Sequence, residues 1–244
     1  MIEPDNLIKF KKILKNYQPS KEAVSIIKQL NFCILLGPSA SGKNTIIQQL
    51  LKSSDYHFIV SDTTRNKRMN DGKLEVNGQN YWFISEETML QDLTKGLYLE
   101  AEIIHSQQVS GISLRELEET MKLDKIALAD MDIGGVEKLL NIDQSLKVFL
   151  IIPPSFEVWL KRLKARDEIE NTEIKRRLET SLKIYNSVKK LNTVEIINDD
   201  YMVAAKTIDE IIKGKIKTGS SKKSVDELVS SLIEKTEDYL ANLS

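Results

Sequence analysis

Cysteine is nearly missing from this chain: Cys33 is the only one in 244 residues, which excludes an intrachain disulfide framework. It lies in an apolar run and reads as a small core residue. Histidine is scarce too; the two present stand apart from each other and from Cys33, which argues against a zinc site. Long apolar runs are absent. The longest, such as Val148-Phe149-Leu150-Ile151-Ile152, fall far short of the ~20 residues a membrane helix needs. Neither sign of charge dominates: 35 basic and 36 acidic residues give a net charge of −1, with no basic footprint for nucleic acid and no acidic tail. The opening Met1-Ile2-Glu3-Pro4-Asp5 lacks the basic and apolar regions of a secretory leader. These absences predict a cytoplasmic protein with no membrane and no nucleic-acid partner. What remains, 41% hydrophobic and 29% charged, suits a folded globular chain of one large domain or two small ones.

The densest chemistry lies in Gly37-Pro38-Ser39-Ala40-Ser41-Gly42-Lys43-Asn44-Thr45. An apolar strand-like run, Phe32 to Leu36, precedes it, and a helical pattern, Thr45 to Leu51, follows. Strand, glycine-bounded loop, lysine and helix make the P-loop arrangement. Its main-chain N–H groups and the positive end of the helix hold polyphosphate oxygens. Lys43 would reach the outer phosphates as a point charge. Asn44 stands where a Ser or Thr hydroxyl is expected on magnesium, with Thr45 one place late; a weakened metal site or slower turnover is the expectation.

Before the P-loop strand, Leu7, Phe10, Ile13, Leu14 and Tyr17 recur at helical spacing; Pro19-Ser20 breaks the pattern, and Ser20 caps a second helix through Val24, Ile27 and Leu30. After it, His57 to Ser61 reads as a strand leading into Ser61-Asp62-Thr63-Thr64-Arg65-Asn66-Lys67-Arg68. Two arginines three apart beyond a strand end suit an anion site, since the planar guanidinium reads phosphate with paired hydrogen bonds. Asn77-Gly78 between β-prone residues predicts a hairpin, Glu86 to Leu93 a helix, and Leu97 to Ile103 a small antiparallel strand. Residues 62–112 thus read as a β-rich insertion outside a parallel core. Leu114 to Met121 reads as a helix. A buried strand, Ile126 to Asp132, ends in Asp130 and Asp132, two carboxylates at the end where open α/β sheets bind ligands. Gly134-Gly135 predicts a turn into a helix from Val136 to Leu140, and Val148 to Ile152 a further strand. Two helices joined by an acidic run at 167–173, with Arg162 and Arg166 on the first and Arg176 and Arg177 on the second, have the make-up of a closing lid. Thr193 to Ile197 reads as the last core strand, ending at Asn198-Asp199-Asp200, and Tyr201 to Lys213 as a helix. A linker at 214–223 precedes a capping pattern at Ser224 and Glu227 and an apolar stripe of Leu228, Val229, Leu232, Ile233, Tyr239, Leu240 and Leu243. That stripe needs a cover from this chain, from a second copy through self-association, or from a protein partner.

Taken together, these segments resemble the guanylate kinase family over roughly residues 31–213. The resemblance rests on the P-loop Gly37–Thr45, on S-x-T-T-R-x-x-R at Ser61, Thr63, Thr64, Arg65 and Arg68, and on Glu75-Val76-Asn77-Gly78 through Tyr81. It extends to the D-x-D of Asp130 and Asp132, the lid arginines and Asn198-Asp199-Asp200. It implies a P-loop α/β fold: a parallel core sheet flanked by helices, a β-rich acceptor-binding insertion at 62–112 and a helical lid at 162–178. A helical extension at 1–30 and a linker with an amphipathic helix at 214–244 are added. The implied reaction is ATP-dependent phosphorylation of GMP or dGMP with Mg2+. Gly37, Ser39, Ala40, Ser41, Gly42, Lys43, Asn44, Thr45 and Asn198 would bind ATP. Ser61, Arg65, Arg68, Tyr81, Glu100 and Asp132 would bind GMP, with Glu100 reading the guanine edge. Lys43, Arg162, Arg166 and Arg177 would neutralise the transferring phosphoryl, and Asn44 and Asp130 would hold the metal.

Two positions depart from the family's Tyr-Gly-Ser after the Glu100 strand. Aligning Gly111 places Ser110 at the Tyr and Ile112 at the Ser, with Ser113 the nearest substitute. Weaker GMP affinity or a shifted acceptor is the expectation. The competing readings are a non-catalytic guanylate kinase-like binding module and a kinase for another phosphorylated acceptor such as ribose 1,5-bisphosphate.

Overall fold

The structure, a computed structural model, describes residues 2–70, 72–104, 106–165 and 170–243. In chain order the elements begin with α1 (Pro4–Leu14), α2 (Lys21–Gln29), β1 (Phe32–Leu36), α3 (Lys43–Leu50), β2 (Tyr56–Phe58), β3 (Asp62–Thr63), β4 (Met69–Asn70), β5 (Lys73–Leu74) and β6 (Trp82–Phe83). They continue with α4 (Glu86–Thr94), β7 (Tyr98–Ile104), β8 (Gln108–Ser113), α5 (Leu114–Leu123), β9 (Ile126–Asp130), α6 (Ile133–Ile142) and β10 (Lys147–Ile152). The last are α7 (Phe156–Lys164), α8 (Asn171–Val188), β11 (Val194–Ile197), α9 (Tyr201–Ile212) and α10 (Lys222–Ala241). They fall into two units: Met1–Phe32, Asp55–Ala129 and Asn141–Asp143 in the first, and Cys33–Ser54, Asp130–Leu140 and Gln144–Ser244 in the second.

In the second unit β1, β10 and β11 lie side by side in parallel register, Leu36 opposite Leu150 and Ile152 opposite Ile197. Strands buried on both faces need continuous apolar runs, and β1 has one: Phe32 to Leu36 are all buried. Cys33 is among them, fully buried, its thiol pushed up to about 12 chiefly by burial. Of the apolar stripe of α10, Val229 and Leu232 are buried and Leu228, Ile233, Tyr239, Leu240 and Leu243 half-buried; Val225 and Thr236 are buried beside them, and the helix packs on α7, α8 and β11. The helix starts a turn earlier than the spacing of Ser224 and Glu227 predicts, because the Ser221 hydroxyl accepts from the Ser224 N–H. Likewise Gly134 and Gly135 belong to the first turn of α6 rather than to a turn before it. Asp132 Oδ1 accepts from Gly135 N at 2.8 Å and starts the helix there.

In the first unit β2 and β9 pair in parallel, and a four-stranded sheet runs in the order β6-β3-β8-β7. The expected two-stranded hairpin at Asn77-Gly78 is absent. A single bridge, Asn77 to Tyr81, closes the turn with Gly78 at φ 78°, and the next residues, β6, pair in parallel with β3 instead. The antiparallel ribbon lies a few residues earlier, in β4 and β5, within the stretch between the arginines and Glu75. The N-terminal helices form as their spacing predicts, with Ser20 Oγ capping α2 by accepting from Ala23 N. Phe10 of α1 is fully buried against Met89, Leu93 and Tyr98. No helix among the described residues is long and apolar enough to cross a membrane.

Candidate active site

The donor region lies wholly in the second unit. Gly37 (φ 154°) and Gly42 (φ 99°) give the loop its curl, and neither tolerates a side chain: a Cβ on Gly37 would lie 2.4 Å from the Ile151 carbonyl oxygen, one on Gly42 2.1 Å from Asn198 Nδ2. Ala40 adopts φ 62°, a left-handed conformation that costs an L-residue roughly 1–2 kcal/mol. Two buried side chains brace the loop from outside. Trp159 Nε1 donates to the Ser39 carbonyl at 2.8 Å, and Asn198 Nδ2 donates to the Ser41 carbonyl at 2.7 Å. Trp159 carries no motif signal; only its place on the buried face of α7 marks it.

Lys43 begins α3, and its ammonium folds back to donate to the Gly37 carbonyl at 2.7 Å, with Asp130 Oδ1 3.7 Å away. Asn44 and Thr45 are exposed on the first turn of α3. Ala40, Gly42, Thr45, Arg162, Asn198, Asp199 and Tyr201 line a cavity of about 300 Å3. Arg162 forms part of its wall, its guanidinium donating to the Asn198 and Asp199 carbonyls at 3.1 and 3.4 Å. Two polar atoms are buried without a protein partner, Oδ1 of Asn198 in this lining and Oγ of Ser41 in the loop. No group of three or more His, Cys, Asp or Glu among the described residues gathers into a cage. In donor chemistry, the Asp130 carboxylate and the Asn44 amide oxygen are hard oxygen ligands of the kind Mg2+ takes beside phosphate.

Of the lid arginines, Arg177 Nε donates to Glu173 Oε1 at 2.7 Å, one turn away on α8, and Arg176 shares the same carboxylate. These two guanidiniums, Arg176 first, hold the Glu173 carboxyl down at about 2. Arg166 lies outside the described residues. Asp132 sits in this unit as the cap of α6.

The residues expected to hold the acceptor, Asp132 apart, lie in the first unit and are joined in side-chain pairs. Arg65 makes a two-pronged bond to buried Glu75, Nη1 to Oε2 at 2.5 Å and Nη2 to Oε1 at 2.7 Å, and stacks on the Tyr81 ring 4.8 Å from its centroid. The hydrogen bonds it donates to Glu75 raise the already high basicity of Arg65. Glu75 Oε2 also accepts from Arg68 N, so one carboxylate fixes the head of Arg65 and the backbone of Arg68. Arg68 Nη2 reaches Gln108 Oε1 at 3.4 Å, and Ser110 donates to Thr63. Ser61 is tied by its carbonyl to Trp82 N.

Glu100 is buried on β7, opposite buried Ile112 of β8; Ser113 is occupied as the cap of α5, accepting from Glu116 N. Ile112 carries no hydroxyl, and the Ser113 hydroxyl, accepting the cap N–H, keeps one O–H to donate. Two further carboxylates organise the unit. Glu116 accepts from Val60 N and Trp82 Nε1 and lies 3.3 Å from His57 Nε2; burial pushes its carboxyl up, but these bonds outweigh it and hold it below the usual range. Asp62, raised by burial, accepts from Tyr98 OH and Arg115, each at 2.7 Å. Sequence reading gave Glu75, Glu116, Asp62 and Gln108 no role. Glu75 is signalled only as the first residue of the Glu75–Tyr81 motif, and the other three only as a charged or amide group in a β-prone or apolar setting.

A glycine-bounded loop braced by buried side chains, ending in a lysine at a helix start beside parallel strands, defines a P-loop nucleotide-binding α/β protein. The family profile described as guanylate kinase matches residues 29–215. The guanylate kinase of Sulfurimonas denitrificans is 32% identical over 178 residues, 72% of this chain and 83% of that protein. Those of Sus scrofa and Homo sapiens are each 32% identical, covering 77% and 75% of this chain and 96% and 93% of their own. A crystal structure of guanylate kinase from Anaplasma phagocytophilum, 23% identical, shares the fold with a TM-score of 0.58 over 77% of this chain and 86% of that one. The chain belongs to the guanylate kinase family.

Proposed function

We propose that this chain transfers the terminal phosphoryl group of ATP to GMP or dGMP, yielding ADP and GDP or dGDP. One observation carries the reading: a braced P-loop cradle and an Arg65–Arg68 clamp organised by buried Glu75 stand in one chain. A binding module that had left catalysis would not need both.

Loop amides and Lys43 hold the donor phosphates, and the amide of Asn198, already fixed by Ser41, leaves its carbonyl oxygen to accept from the donor base. Arg162 serves as a wall of that donor cavity. Arg65 and Arg68 take the acceptor's phosphate, with Tyr81 supporting Arg65. An oxygen of that phosphate attacks the γ-phosphorus in line as the bond to the ADP oxygen breaks; positioning and charge neutralisation carry the catalysis. Lys43, Arg166 and Arg177 supply positive charge, Arg177 by exchanging Glu173 for phosphate. Asn44 and Asp130 would hold Mg2+, which when bound neutralises the phosphate oxygens.

Glu100 accepts from guanine N1–H and its 2-amino group; adenine lacks that donor pair. Ser61 frames the base, and the same role for Asp132 rests on the resemblance alone. With Ile112 buried and Ser113 capping a helix, guanine is held with fewer contacts than the family pattern supplies, and GMP affinity is correspondingly weaker.

A coupled assay of ADP release with GMP, dGMP, AMP and ribose 1,5-bisphosphate tests the reading. Stimulation by GMP or dGMP is expected. No stimulation by any of the four overturns the enzyme, and a preference for ribose 1,5-bisphosphate moves the acceptor.

A further inference from the structure

The segment ahead of residue 29 lies outside the family match, yet it is built into the sheet that carries Glu100. β7 is the outer strand of that sheet, and an outer strand leaves main-chain groups without a ladder partner. At Tyr98 both are taken by one hydroxyl: Tyr17 OH donates to the Tyr98 carbonyl at 2.7 Å and accepts from the Tyr98 N–H at 2.9 Å. The β7–β8 register slips between Tyr98 and Glu100, a bulge of the kind that re-aims the side chains beside it. Tyr17 therefore fixes the point from which Glu100 takes its direction. The same Tyr98 donates its own hydroxyl to Asp62 at 2.7 Å, next to Ser61 and at the head of the stretch leading to Arg65 and Arg68. Glu100 is felt at Tyr17 as well: burial pushes that phenol up to about 12, the bond to Tyr98 eases the rise, and the Glu100 charge adds to it.

We propose that Tyr17 is a positioning residue for the acceptor base, clamping the bulged start of β7 so that Glu100 is aimed at guanine. The N-terminal helical segment is then a working part of acceptor recognition. The inference rests on the GMP kinase reading above.

The test is Tyr17→Phe in the full chain, which removes one oxygen, beside Phe10→Leu, which loosens the packing of α1 but keeps the clamp. Tyr17→Phe is expected to raise the KM for GMP roughly 3- to 10-fold, the loss of about one net hydrogen bond, with kcat and the KM for ATP unchanged. Phe10→Leu is expected to lower the melting temperature and leave the KM for GMP in place. An unmoved KM in Tyr17→Phe, or an equal rise in both variants, overturns the assignment. Independently of turnover, hydrogen exchange at the Tyr98 amide is expected to quicken in Tyr17→Phe and to slow when GMP binds the unaltered chain; no change in either contradicts the clamp. Absence of any GMP-stimulated turnover in the unaltered chain is the separate failure that removes the parent reading.

Discussion

Around the P-loop, side chains grip main-chain carbonyls: Asn198 that of Ser41, Trp159 that of Ser39, and Lys43 that of Gly37. In the acceptor region charged side chains hold one another: Glu75 the head of Arg65 and the backbone of Arg68, Glu116 the groups of His57, Val60 and Trp82, Asp62 those of Tyr98 and Arg115. On the proposed reading the difference follows from the ligand parts each would grip. A polyphosphate is gripped by many weak, fixed dipoles, which a tight loop supplies at short range. A single monophosphate and a base edge need a few strong directional groups, which must be desolvated and therefore paired before the ligand arrives.

The contrast can be broken most severely at Lys43. Lys43→Ala is expected to lower kcat about a hundredfold or more, as loss of one preorganised charge contact does elsewhere, with the KM for GMP little changed. Retained turnover in the coupled assay would remove the loop from the mechanism. Next in size, Glu75→Gln weakens the two-pronged bond to Arg65 and is expected to raise the KM for GMP about tenfold, a charge-assisted hydrogen bond's worth, while the KM for ATP stays. Equal changes in both constants would mean that Glu75 supports the fold generally. A smaller effect sharpens the donor side: Ala40→Gly relieves the left-handed strain at φ 62° and is expected to gain about 0.5–1 kcal/mol in urea unfolding without loss of kcat. A drop in stability would contradict the strain.

Smallest is an acid effect on the lid. Glu173 ionises near 2 in the folded chain against an ordinary 4.5, so its contribution to stability is fully present above about 4.5 and is lost as the pH falls toward 2. Because the group is only partly buried and its partners reach solvent, the effect is a slight one. Glu173→Gln is expected to flatten that part of the acid unfolding profile; an unchanged slope would show that the pairing with Arg176 and Arg177 contributes nothing.

The P-loop, the arginine pair and most helices were legible because each is written locally: glycines at a fixed spacing from a lysine, Ser20 ahead of an apolar period, Phe32 to Leu36 as an unbroken apolar run. What was not legible depends on partners distant in the chain. Nothing near Trp159 announces a bond to Ser39, and nothing near Tyr17 announces the bulge at Tyr98, 81 residues on. The Asn77-Gly78 signal misled for a related reason. It is a real tight turn, but the residues after it find β3 as a partner rather than the strand before it. The cap of α10 fell at Ser221 because a serine three places before Ser224 could take its N–H, a choice the local pattern leaves even.

Separate calorimetric titrations of GMP and of a non-hydrolysable ATP analogue into Glu100→Gln bear most directly on the division of labour between the two regions. The account predicts GMP binding weakened about tenfold or more, as for a buried hydrogen-bond reader that has lost its charge, with the ATP analogue bound as before. Equal weakening of both ligands, or of neither, would contradict it.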